Sequence, residues 1–157
     1  MVAASEVTRA RLDQLYNLIL GLIGLQFFLG IWLNLFGSFP SGSGGLGAAL
    51  TFTADPVLIV HGALGVVLGV GALGLLARSW SDPLRTLRWF ALGGLLGVVF
   101  ASATGSGFVY SGYSNNVDSF LMAVGFGIAL TAYDEGLVRL RADRSLQSRQ
   151  GGNPTPV

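Results

Sequence analysis

The sequence predicts an all-α integral membrane protein: four antiparallel transmembrane helices in an up-down-up-down bundle, with both chain ends cytoplasmic. Three observations predict it. Of 157 residues, 52% are hydrophobic and 11% charged, where a soluble domain carries about 25% charged residues. Four apolar runs, 15–36, 57–77, 84–104 and 117–138, each reach the roughly 20 residues that cross a hydrocarbon core of about 30 Å. All nine basic residues are arginines, and all fall before the first run, in or flanking the connection between the second and third, or after the fourth. Because basic residues in short loops are retained in the cytoplasm, the loops 37–56 and 105–116 are expected outside, and the membrane is expected to be of the bacterial plasma (inner) membrane type.

Residues 1–14 form a cytoplasmic segment in which VTRARLDQL alternates arginine with apolar residues, as a short interfacial helix does. The first run is longer than the roughly 7–15 residues of a signal-peptide core, so it reads as an uncleaved signal anchor. Trp32 and Phe36 near its outer end, and Trp80 and Trp89 near the inner ends of spans two and three, suit the headgroup region. The loop 37–56 is rich in Gly and Ser and reads as a lid-like connection. The inner loop RSWSDPLR predicts Ser81 or Asp82 as N-cap of span three, with Pro83 in its first turn. The loop 105–116 carries Phe108, Tyr110 and Tyr113 between glycines, as a tight hairpin or a surface-lying segment does. NNVDS opens span four, with Asp118 and Ser119 as capping groups, and residues 139–157 have the composition of a basic, disordered cytoplasmic tail. The domain is therefore 15–138, between an N-terminal segment and that tail.

Helix contacts inside a membrane favour small residues, which let backbones approach. At 100° per residue, His61, Gly65, Gly69 and Ala72 share an arc of about 80° on span two. His61, the one histidine of the chain, is thus expected to face the bundle. Phe90, Gly93, Gly97 and Thr104 share a face of span three, and Asp118, Met122, Phe126, Ala129 and Tyr133 a face of span four. His61 lies roughly 7 Å below the outer end of its span, and Met122, Asn34 and Thr104 are expected near the same level.

An ionisable residue within a membrane is a candidate functional group, and His61 admits three readings. The first is b-type haem, with His61 as axial ligand, Met122 or the His61 of a second copy as the other, and Gly65 and Gly69 making room for the macrocycle; this belongs to a small membrane subunit associated with electron transfer. The second is a proton or small-solute pathway in which His61 pairs with Asp118 or Asp55. The third is a non-catalytic accessory subunit in which His61 bonds Asn34, Thr104, Ser119 or a carbonyl and the glycine faces dock on other membrane subunits or on a second copy. A chlorophyll-type pigment, which also accepts one histidine, is a further cofactor in scope.

With no cysteine, disulfides and thiolate metal sites are excluded. GxxxxGK, HExxH and GxSxG are absent, so the chain is not expected to be an enzyme on its own. The arginines are used by topology, which leaves no basic patch for nucleic acid, and the lipid bilayer is the first partner.

Overall fold

The computed structural model describes residues 2–37, 39, 44–45, 47 and 56–151, with side chains described from residue 9 to residue 147. Four long helices account for nearly all of them: α1 Val2–Phe36, α2 Pro56–Trp80, α3 Thr86–Tyr110 and α4 Asn116–Gly151. Each is long and apolar enough to cross a membrane. A helix satisfies its own backbone polar groups, which hydrocarbon cannot do.

Every helix packs on its neighbours in sequence, and α4 closes the ring on α1. The α3–α4 seam is the most extensive, and glycine is the reason. A Cβ on Gly97 would stand 2.6 Å from the Ala129 backbone nitrogen, and one on Gly125 would stand 2.7 Å from that of Ala101. The two backbones therefore touch directly, and dispersion contact replaces the hydrophobic drive that lipid does not supply. One turn further on, Gly94 leaves room for the Tyr133 ring.

Two apolar clusters fill the interior. The larger joins Leu12, Tyr16 and Ile19 of α1 to Leu75, Leu87, Tyr133 and Leu140 of the other helices, with the Tyr16 and Tyr133 rings edge-on at 6.3 Å. The smaller joins Leu33, Leu58 and Tyr113, with Phe39 and Phe108 against them. Outside, Phe28, Val66, Val70, Leu73 and Leu96 are each more than half exposed. In a soluble protein that surface would be a liability, and against lipid it costs nothing. Trp80 and Trp89 are exposed at one end, with the Arg88 guanidinium 5.7 Å from each ring.

Several boundaries depart from the sequence reading. The expected disordered tail is helical as far as Gly151, because Asp143 on it is held by Arg9 and Arg141 by Asp13 at 2.9 Å. The N-terminal segment is continuous with α1 and forms no separate interfacial helix. The third helix runs to Tyr110, which leaves only residues 111–115 where a loop of 105–116 was expected. Pro83 lies ahead of α3: Asp82 Oδ1 accepts from the Leu84 N–H at 2.9 Å in a side-chain turn. Asn115, and neither Asp118 nor Ser119, caps α4, accepting from the Val117 N–H at 3.1 Å. Most of the connection 37–56, including Asp55, lies outside the described residues.

Candidate functional site

The sequence sorts small residues onto inward faces, and the structure puts a cavity where those faces are not filled. A cavity of about 410 Å³ lies between the two apolar clusters, lined by all four helices. Gln26, Gly30 and Asn34 come from α1, His61, Gly65 and Gly69 from α2, Ala101, Ser102 and Gly105 from α3, and Ser119, Met122 and Phe126 from α4. Six of the eight singled-out positions, His61, Met122, Gly65, Gly69, Asn34 and Ser119, thus meet around one space. Thr104 and Asp118 are not among its lining residues. The Thr104 hydroxyl donates to the carbonyls of Phe100 and Ala101 on its own helix, at 2.9 and 3.1 Å. Asp118 accepts from Asn115 Nδ2 at 2.8 Å, beside Gly107.

The partner of His61 is Gln26. Its Nε2 donates to the His61 carbonyl at 3.0 Å and stands 3.3 Å from His61 Nε2. An amide nitrogen has two hydrogens and no acceptor, so the facing imidazole nitrogen accepts and the ring proton sits on Nδ1. That Nδ1 and Gln26 Oε1 are both shielded from solvent without a hydrogen-bond partner. Gln26 is 6% exposed. A glutamine in mid-span is itself costly in hydrocarbon, and that cost is the signal that would have drawn attention to it. Gly65 completes the arrangement, since a Cβ there would stand 3.4 Å from the Gln26 amide. Gly105 does the same for Met122, whose Sδ would lie 3.1 Å from a Cβ at that position.

One end of the cavity is roofed by aromatic rings. Phe39 stacks on Tyr113 at 5.1 Å and meets Phe108 edge-on at 5.5 Å. Tyr113 holds φ 61° and follows Gly112 at φ 72°. A left-handed tyrosine costs roughly 1–2 kcal/mol, offset by its two ring contacts and burial. Gly45 donates its N–H to the Tyr110 carbonyl at 2.7 Å, so the loop after α1 is tied to the end of α3.

The opposite end of the bundle holds a polar layer that the hydropathy pattern concealed. Arg9, 8% exposed, pairs with Asp143 and reaches Asp82 Oδ2 at 3.9 Å. It links the start of α1, the α2–α3 turn and the extension of α4. Tyr16 Oη donates to the Leu87 carbonyl at 3.4 Å nearby.

No family model, curated protein or solved structure matches the chain.

Proposed function

We propose that this chain is a multi-pass protein of a bacterial-type plasma membrane. Its helices run antiparallel, up-down-up-down, with both chain ends cytoplasmic, and the outer half of the bundle is a binding pocket for one small molecule. The one-sided arginines and the short connections 81–85 and 111–115 support the topology. The observation that carries the pocket is that Gln26, His61 and Met122, on three different helices, line a single cavity of about 410 Å³. Binding cavities run from about 300 to 1,000 Å³, mostly apolar with a few converging polar groups. Among the described residues the lining contains no Asp, Glu, Lys or Arg, so the fitting ligand is uncharged and largely apolar. The test is organic extraction of protein purified from its native membrane, followed by mass spectrometry. A stoichiometric small molecule absent from the His61→Leu variant supports the pocket, and bulk lipid alone in both samples ends the reading.

Haem b is a second reading, favoured by His61 and Met122 lining one cavity from α2 and α4, a recognised axial pair. Gly69 leaves open wall beside the ring, while the Gln26 amide lies against Gly65, and bound haem would supply one-electron chemistry. It ranks second for two reasons. His61 would have to release the Gln26 amide before Nε2 could ligate iron, and the lining offers no cation for the haem carboxylates. An absorption spectrum of the purified protein decides it: a Soret band lost in His61→Leu puts haem first, and none with added haemin removes it.

A further inference from the structure

We propose that the cavity takes a hydroxyl-bearing lipophile that arrives sideways from the bilayer through a window between α2 and α3. The inference rests on the pocket reading above and names the class of its ligand and the route. Val66 of α2 is 69% exposed on the lipid-facing surface and lines the cavity. Ser102 and Ser106 of α3 are likewise exposed and line it. A residue that faces both the cavity and the outside marks an opening. Beside it, a Cβ added at Gly69 would meet nothing within 4 Å.

Asn34 of α1 also lines the cavity and is exposed, at the outer end of its helix; at hydrocarbon depth the other walls are packed. The aromatic roof of Phe39, Phe108 and Tyr113 covers the outer end. Leu68 and Val98, 2% and 5% exposed, fill the inner end. Backbone contact at Gly97 and Gly125 seals α3 against α4, Gln26 bridges α1 to α2, and the Phe27 and Phe126 rings, 6.4 Å apart, span α1 and α4. The open side lies between helices at hydrocarbon depth, since Val66 is about 15 Å along α2 from its start at about 1.5 Å per residue. Only a molecule dissolved in the membrane meets it there.

The lining selects the head group. Gln26 Oε1 is an acceptor without a partner and His61 Nδ1–H a donor without one, both closed off at the surface of the wall; a small turn of the amide or the ring would present them to a hydroxyl, which both donates and accepts. The rest of the lining is mainly Leu, Val, Phe, Ala and Gly, which an aliphatic or isoprenoid body matches. Ser106 adds no bare polar group to the window, because its hydroxyl donates to the Ser102 carbonyl at 2.9 Å.

The experiment uses the full chain in liposomes with a photoreactive long-chain alcohol that carries a diazirine in its tail. After illumination, the labelled peptides are mapped by mass spectrometry. Labelling is expected on Met122 and Phe126, and to fall at least fivefold in Ser102→Trp and in Val66→Trp, which plug the window from exposed positions. It should be unchanged in the lipid-facing control Leu73→Trp. Equal Met122 labelling in all variants overturns the lateral route and leaves the pocket standing. Label confined to outward residues such as Val70 and Leu73 in the unmodified chain overturns the pocket as well. A methyl-ether version of the probe that labels Met122 as well as the alcohol does overturns the hydroxyl assignment.

Discussion

The Gln26 amide nitrogen stands 3.0 Å from the His61 carbonyl oxygen and 3.3 Å from His61 Nε2, so one side chain of α1 holds both the backbone and the ring of α2. Interhelical polar pairs in membranes contribute only about 0.6 kcal/mol on average and at most about 2. The pair is therefore weak as structural glue, and its two unpartnered atoms give it more to offer a ligand than to the bundle.

Replacing Gln26 by Leu separates the two roles. Thermal unfolding in detergent is expected to shift by only the few degrees that about 1 kcal/mol produces. Recovery of the extracted ligand should fall about tenfold, the factor that about 1.4 kcal/mol supplies. Unchanged recovery would mean that Gln26 serves packing alone.

The glycines make a graded prediction. Gly97→Ala and Gly125→Ala place a methyl against backbone, at 2.6 and 2.7 Å, and backbone cannot step aside as a side chain can. Each should destabilise by about 1–3 kcal/mol. Gly74→Ala and Gly127→Ala, where nothing lies within 4 Å, should stay within about 0.5 kcal/mol of the parent. Reversible unfolding in mixed micelles measures all four, and equal losses across the set would mean that α3 and α4 are not in backbone contact.

The Arg9 cluster predicts a contrast between ion pairs. The Arg9 and Asp82 side chains are 10% and 3% exposed, so Arg9→Ala strands a buried carboxylate at a cost of about 3 kcal/mol. Changing Arg9→Met and Asp82→Leu together should recover part of that loss, because the buried carboxylate leaves with its partner, while Asp143, with its side chain 28% exposed, stays hydrated. Arg141 is 54% exposed against Asp13, so Arg141→Ala should cost far less than Arg9→Ala, and that small cost should vanish in high salt. A double variant no better than Arg9→Ala would show that the arginine stem, not its charge, matters there.

Hydropathy made the four spans legible, because crossing a bilayer demands length and apolarity and little else. It carried no information on where the helices stop: α3 continues through Gly105 and Gly107 to Tyr110, and α4 far past its apolar stretch, since partners such as Arg9 and Asp13 come from distant sequence. The helical wheel of α2 brought His61, Gly65 and Gly69 to the cavity side. A shared helix face and a similar depth put Thr104 and Asp118 in the same group, yet a face spans a wide arc: the structure leaves both off the cavity wall, each bonded within its own helix or turn. Gln26 is legible only through its cost, as the amide in the middle of an otherwise apolar run, because neither a face pattern nor a motif marks it.

Topology supplies the last prediction, and the absence of cysteine makes it clean. Ser81 in the α2–α3 turn and Ser114 in the α3–α4 turn are both exposed and stand at opposite ends of the bundle, one beside Asp82 and the Arg9 cluster, the other beside Tyr113 and the aromatic roof. Neither side chain is part of the interior, so Ser81→Cys and Ser114→Cys should fold as the parent does. If arginine placement sets orientation, a membrane-impermeant maleimide applied to intact cells labels Ser114→Cys and spares Ser81→Cys until the membrane is permeabilised. Ser102→Cys, at the lateral window, should resist the reagent in both conditions while lipid surrounds it and react once detergent strips the bilayer. Labelling of Ser81→Cys in intact cells would invert the topology and place the cavity in the cytoplasmic half, and prompt labelling of Ser102→Cys in intact cells would mean that water, not lipid, reaches the window.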